Sequence, residues 1–154
     1  MLKLHLESDG AAATEQIGAA LALQMINESL PRFVALYGDL GVGKTAFVRG
    51  FASVICPGAA VRSPTFSLVY EHRGKPFDLF HFDMYRIEDE DDLYSIGFDD
   101  YLERNGVCLV EWSENIPYAL PPHHIAVTIE KDDLTTPDHR VITIEEKKTE
   151  DAPC

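Results

Sequence analysis

A glycine-rich segment with a lysine and a threonine, "GDLGVGKT" at residues 38–45, is the part of the sequence with the clearest chemical role. Gly38, Gly41 and Gly43 allow backbone dihedrals that other residues avoid, so several N–H groups can point toward one centre. A helix that begins at the same place adds unpaired N–H groups and the positive end of its dipole. The segment therefore predicts a phosphate-binding loop.

The pattern GxxxxGK[ST] also assigns roles to side chains. Lys44 would reach the outer phosphates of a nucleotide, and the hydroxyl of Thr45 would bind Mg²⁺. The alternative is an ordinary glycine-rich turn, but the apolar run "RFVALY" before the loop and a predicted helix after it disfavour that alternative. The residues predicted to contact the nucleotide here are Gly38, Asp39, Leu40, Gly41, Val42, Gly43, Lys44, Thr45 and Ala46.

Hydrolysis also requires carboxylates that hold Mg²⁺ and orient the attacking group, and two predicted strands end in one. In "FDLFHFDMYR" a period of two places His81, Asp83 and Tyr85 on one face, and we expect this strand to lie beside the loop. The apolar run 107–110 delivers Glu111 and then Trp112 at a strand mouth, where α/β proteins usually bind ligands. Asp83 and Glu111 are therefore candidate metal ligands and catalytic acids.

Several of these positions have a second interpretation. Asp83 would be a surface residue paired with Arg86, and Trp112 would only pack against the core. In "VRSPTFSL", Pro64 displays Thr65, which either senses the outer phosphate or belongs to a turn that opens a strand. The acidic run at 88–92 is typical of a solvated first helical turn, with a partner-docking surface as the alternative.

Composition limits the class of protein. The 154 residues predict one domain, at 1–147, followed by a disordered tail at 148–154. A net charge of −13 opposes broad contact with nucleic acid. Without a long apolar stretch or a secretory signal, the chain is predicted to be cytoplasmic and not to bind membranes. Its three cysteines, Cys56, Cys108 and Cys154, have no metal-like spacing and are predicted to be reduced, with Cys108 filling the core.

The predicted elements alternate between strands and helices. An edge strand at "LKLHLE" precedes a helix capped by Ser8 or Asp9 and closed by Pro31. A hairpin turns at Gly74, a helical segment is weakened at Gly97, and "HIAVTIEKD" with "HRVITIEEK" forms a closing hairpin. These elements predict an α/β fold: a single P-loop NTPase-like domain with a mixed parallel and antiparallel central sheet flanked by helices.

Five segments in this order, "GDLGVGKT", "SPTFSLV", "HFDMYR", "IGFDDYL" and "VEWSE", resemble the TsaE family, also called YjeE. The loop alone is shared by many families, whereas the later four segments are specific. The resemblance covers roughly residues 5–130.

The resemblance implies a P-loop ATPase that binds and hydrolyses ATP with Mg²⁺. Its cycle would support turnover by the partner proteins TsaD and TsaB, which make N6-threonylcarbamoyladenosine in tRNA, and the chain alone is not expected to bind tRNA strongly. Carried over by position, Thr65 is the switch hydroxyl, Asp83 the Walker-B-type acid, and Glu111 with Trp112 an essential pair at the nucleotide. The expected metal ligands are Thr45, Asp83 and Glu111, and the expected catalytic residues are Lys44, Thr65, Asp83 and Glu111.

Two other classes share the loop. A small-molecule kinase would need clustered basic residues around an acceptor, and the arginines here are scattered along the chain. A nucleotide-binding regulator would bind ATP without turning it over, and the sequence leaves this alternative open.

Overall fold

A seven-stranded mixed sheet runs through the computed structural model, which describes residues 1–38, 43–61, 68–131 and 137–148. The strands are β1 (Lys3–Ser8), β2 (Phe33–Tyr37), β3 (Val69–His72), β4 (Asp78–Asp83), β5 (Gly106–Glu111), β6 (His123–Lys131) and β7 (Arg140–Lys148). The helices are α1 (Ala11–Asn27), α2 (Lys44–Ile55), α3 (Glu90–Ser95) and α4 (Phe98–Leu102), and two short 3-10 turns span Ser113–Asn115 and Pro117–Ala119.

The strand order is β1-β7-β6-β2-β5-β4-β3. The four central strands β6, β2, β5 and β4 are parallel, so their carboxyl ends lie at one edge of the sheet. The outer pairs β1 with β7, β6 with β7, and β3 with β4 are antiparallel. The predicted α/β fold with a mixed sheet is confirmed, and β1 occupies an edge as expected.

Helices cover both faces of the sheet and create two apolar cores. Helices α1 and α2 pack on one face, with Phe47 and Phe51 against Leu36 and Leu109. On the other face, α3 and α4 pack against Phe80 and the side chains around it. Strand β5 is buried throughout because it is central and covered twice, which explains its uninterrupted apolar run.

The described cysteines behave as predicted. Cys108 lies in the second core, and burial raises its pKa to about 12, so its thiol is inert filler. Cys56 is also buried and free, whereas Cys154 lies outside the described residues. None of the helices in the described part of the chain has the length and apolar character of a membrane span.

Helix α1 begins differently from the prediction. Gly10 is the N-cap and makes no side-chain capping bond. The prediction that Ser8 or Asp9 caps this helix is therefore wrong. The Ser8 hydroxyl instead donates a 2.9 Å hydrogen bond to the Gly10 carbonyl, and it lies 2.7 Å from the Thr14 hydroxyl, with which it is also hydrogen-bonded. At the other end α1 stops at Asn27, several residues before Pro31.

The acidic helical segment is divided into two helices at Gly97. Gly97 has a φ of 73°, which separates α3 from α4. Asp89 caps α3 by accepting from the Asp92 N–H at 2.9 Å, so the run at 88–92 forms a capped, acidic first turn as predicted.

Both predicted hairpins are present. Strand β3 pairs with β4 in a register that places Tyr70 opposite His81. Strand β7 returns along β6, and the turn at 132–136 lies outside the described residues. Strand β7 continues to Lys148, one residue into the predicted tail, and residues 149–154 also lie outside the described part.

Close approach of α1 to α2 gives a stability prediction. A Cβ atom on Gly50 would lie 1.8 Å from the Glu15 carbonyl oxygen, so alanine forces the helices apart. We expect Gly50→Ala to lower the free energy of unfolding by about 3 kcal/mol, the upper end of typical overpacking costs, measured by urea denaturation. Gly10→Ala is the matched control, since a Cβ there meets nothing within 4 Å. Equal stability of the two variants would show that the helix contact tolerates separation.

Candidate functional site

The carboxyl ends of β2, β5 and β4 form the edge where the predicted site residues meet. The register places Glu111 beside Leu36 of β2 and beside Asp83 of β4. Strand β5 is the direct neighbour of β2, and β4 lies one strand further out. The expectation that the strand of Asp83 lies beside the loop is therefore wrong, because Glu111 holds that position.

The phosphate-loop prediction falls partly on described residues. Gly43 has a φ of 111° and is the N-cap of α2, so the helix begins at Lys44 as predicted. The N-terminus of α2 therefore lies at this edge, and helix N-termini are places where anions bind. Thr45 is half-buried in the first turn, and Ala46 is buried behind it. The predicted site residues outside the described part are Asp39, Leu40, Gly41, Val42 and Thr65.

Lys44 is held at the strand mouth by contacts with a backbone carbonyl and an aromatic ring. Its side chain is 5% exposed, and Nζ donates a 2.7 Å hydrogen bond to the Gly38 carbonyl. Nζ also lies 3.8 Å from the centroid of the Trp112 ring, a cation–π geometry. The first and last parts of the loop are thus linked through a buried ammonium group next to Trp112.

Trp112 has the backbone conformation that most clearly departs from sequence expectation. Its φ of 60° and ψ of 41° fall in the left-handed region, which is unusual for a bulky residue. Such strain tends to occur at functional sites. Trp112 packs in part against the second core and in part over Lys44, with the Tyr85 ring at 5.0 Å. The structure thus places it both in packing and at the mouth of the sheet.

Asn115 braces the segment that carries Trp112. Its Nδ2 donates to the Met84 carbonyl at 2.9 Å and to the Tyr85 carbonyl at 3.3 Å. These bonds join the segment after β5 to the segment after β4. Sequence reasoning missed Asn115, and the only available signal was a polar side chain inside a short connection between buried elements.

The two acids at the edge have different environments. Glu111 is 3% exposed, and its Oε2 lies 2.5 Å from Nε2 of His81. Asp83 is half-buried and accepts a 3.0 Å bond from the Tyr85 N–H. Burial raises the pKa of Asp83, and the charge of Glu111 adds to the rise. The hydrogen bond from the Tyr85 N–H, together with His81 and Lys44, lowers the pKa of Asp83 in part.

Such paired carboxylates are stabilised by a cation. No ion pair between Asp83 and Arg86 occurs among the described side chains. Within the same part of the chain, no group of three His, Cys, Asp or Glu residues could hold a metal ion alone. Mg²⁺ commonly takes one or two carboxylates together with substrate phosphates, so this donor set fits a nucleotide-bound Mg²⁺.

His81 is the second residue whose importance the sequence did not reveal. The period of two correctly placed it on the face of Asp83, but it gave His81 no role. Tyr85, the expected third member of that face, lies beyond the end of β4 and is exposed.

Comparison with known proteins extends these observations. A family model described as "Threonylcarbamoyl adenosine biosynthesis protein TsaE" matches residues 8–142. The chain belongs to the TsaE family. Among curated relatives, the tRNA threonylcarbamoyladenosine biosynthesis protein TsaE of Bacillus subtilis is 41% identical over 98 residues, covering 64% of this chain and 61% of the relative. That of Haemophilus influenzae is also 41% identical, over 97 residues, covering 63% and 61%.

A more extensive match is the TsaE protein of Rickettsia bellii, 37% identical over 112 residues, which cover 72% of this chain and 75% of the relative. Against the first two relatives, the chain spans about three fifths of their length. Among solved structures, the crystal structure of YdiB from Bacillus subtilis matches with a TM-score of 0.72 and 28% identity. That match covers 96% of this chain and 87% of YdiB, in agreement with the mixed sheet.

Proposed function

We propose that this TsaE-family chain is a cytoplasmic ATPase that binds and hydrolyses ATP with Mg²⁺ in support of tRNA threonylcarbamoyladenosine biosynthesis. The observation that carries the proposal is the meeting of Lys44, Glu111 and Asp83 at the carboxyl ends of three adjacent parallel strands. One edge of the sheet thereby carries an ammonium group that can bind phosphates. The same edge carries two carboxylates that can bind a metal ion.

Each residue has a distinct task in this proposal. Lys44 and the first N–H groups of α2 bind the phosphates. Thr45 and Asp83, with Glu111 as a further candidate, would hold Mg²⁺, and the ion would supply positive charge next to the phosphates. Glu111 either shares in holding the metal or orients the attacking water, because it closes the strand next to β2.

The relatives named as tRNA threonylcarbamoyladenosine biosynthesis proteins support the assignment to this pathway. With a net charge of −13, the chain reaches tRNA through its partners TsaD and TsaB rather than by direct binding. No arginine falls in the loop 38–45 or in the segment 106–113. The chain therefore hydrolyses ATP slowly alone, and partner binding accelerates it by ordering the segment around Thr65.

The decisive experiment is steady-state ATP hydrolysis by the purified chain with and without TsaD and TsaB. We expect slow hydrolysis alone, a higher rate with both partners, and no activity when Mg²⁺ is chelated. Binding of ATP without turnover under every condition would identify a regulator, and transfer of phosphate to a small molecule would identify a kinase.

A further inference from the structure

A buried histidine contacts the acid that the proposed ATPase site requires. His81 is fully buried and Glu111 is 3% exposed, and their side chains meet at 2.5 Å between Nε2 and Oε2. His81 lies opposite Leu109 in the β4–β5 register. Glu111 is two residues further along β5 on the same face, and the His81 ring reaches it there. The contact between these two buried side chains therefore lies in the protein interior, next to the proposed site.

The hydrogen-bonding capacity of each group fixes the proton. An ionised carboxylate can only accept, so Nε2 of His81 donates to Glu111. Nδ1 of His81 is buried and has no hydrogen-bond partner among the described residues. The contact with Glu111 therefore requires a proton on Nε2.

The contact has a direct consequence for Glu111. Its Oε2 is engaged by His81, whereas the described residues give Oε1 no hydrogen bond. A hydrogen bond to one oxygen restricts the rotation of a carboxylate and leaves the other oxygen available. We propose that His81 is a positioning residue that fixes the Glu111 carboxylate, so that Oε1 stays available to the magnesium–nucleotide complex. This inference rests on the proposed ATPase function.

The first test replaces the donor. His81→Leu removes the N–H and keeps an apolar side chain of moderate size, whereas His81→Gln retains an N–H donor. Loss of a partner that orients a metal ligand costs roughly 10–100-fold in metal affinity or activity. For His81→Leu we expect a fall of about that size in kcat, a rise in the Mg²⁺ concentration for half-maximal rate, and unchanged ATP binding in chelator.

The conservative variant and the fold serve as controls. His81→Gln should recover most of the rate, and urea denaturation should show whether either variant is still folded. Wild-type rate and Mg²⁺ dependence in folded His81→Leu would overturn the inference.

A double-mutant cycle separates positioning from a general structural effect. If His81 acts through Glu111, adding His81→Leu to Glu111→Gln lowers hydrolysis no further. If the double variant instead shows the product of the two single losses in rate, His81 acts independently of Glu111 and the inference fails.

A measurement without nucleotide makes the test independent of the proposed function. Long-range ¹H–¹⁵N NMR of the wild-type protein should show a proton on Nε2 of His81. An Nε2 atom without a proton would contradict the arrangement. A wild-type chain that never hydrolyses ATP would defeat the proposed function while leaving this NMR result to decide the contact.

Discussion

Lys44→Ala is expected to weaken ATP binding and to reduce hydrolysis sharply while the protein remains folded. Lys44 is the lysine at the edge formed by β2, β5 and β4, and its ammonium group lies between the Gly38 carbonyl and the Trp112 ring. Hydrogen bonds to charged groups contribute about 1.5–3 kcal/mol, which corresponds to a loss of roughly 10–150-fold in ATP affinity. Hydrolysis should fall by about 10²–10³ in kcat, because charge on the phosphates grows in the transition state.

Calorimetric titration with ATP and a steady-state hydrolysis assay measure both effects. Lys44→Met keeps the apolar stem against Trp112 and should match Lys44→Ala if the charge is what matters. Lys147→Ala is the control for nonspecific loss of charge. Lys147 is half-exposed on β7 and lies opposite His124 near the start of β6, whereas the site lies at the carboxyl ends of the central strands. ATP affinity unchanged in Lys44→Ala would disprove the phosphate-binding role of this loop.

Local rules were sufficient for the elements that build the site. The apolar run of β5 requires a strand covered on both faces, and the loop glycines followed by an apolar helical period require a helix at Lys44. These features depend on a few adjacent residues and on a period of two or 3.6. The strand, the helix and the end positions of both acids could therefore be predicted.

Nonlocal pairing set the parts that the sequence did not reveal. Strands β4 and β5 both end in an acid, and which of them adjoins β2 depends on how the chain between them crosses the sheet. The contact of His81 with Glu111 depends on the register of two strands about 30 residues apart. The left-handed backbone of Trp112 could not be predicted, because no residue type next to it in the sequence demands a positive φ.

The competition for the Ser8 hydroxyl illustrates the same limit at short range. A serine before a helix is a common N-cap, but here Thr14 and the Gly10 carbonyl both contact its Oγ. The helix then begins two residues later than a local capping rule would place it, after Gly10. Local propensity predicted the helix, but it did not predict that the Ser8 hydroxyl would bond to Gly10 and Thr14 rather than cap the helix.

The two acids should separate by mutation into different tasks. Asp83→Asn removes a half-buried charge beside Glu111 and is expected to weaken Mg²⁺-dependent ATP binding without loss of fold stability, because burial and Glu111 already disfavour that charge. ATP titrations with Mg²⁺ and with chelator measure the difference, and urea denaturation measures the stability. Equal affinity of Asp83→Asn and wild type in Mg²⁺ would exclude Asp83 from the metal site.

Glu111→Gln preserves shape and removes charge, and hydrolysis is expected to fall by roughly the 10²–10⁴ typical of acid–base groups. A water-orienting role predicts near-normal ATP affinity in Mg²⁺, whereas a metal-ligand role predicts that affinity falls with the rate. Trp112 reports both, since it is the one tryptophan of the chain and its ring lies 3.8 Å from Lys44 Nζ, which must engage phosphate instead. Its fluorescence should therefore change on addition of ATP and Mg²⁺ and permit a titration in each variant. If the Trp112 fluorescence does not change in a chain that binds ATP, Trp112 has only a packing role. If Glu111→Gln hydrolyses ATP at the full rate, Asp83 is the remaining candidate acid among those described at this edge.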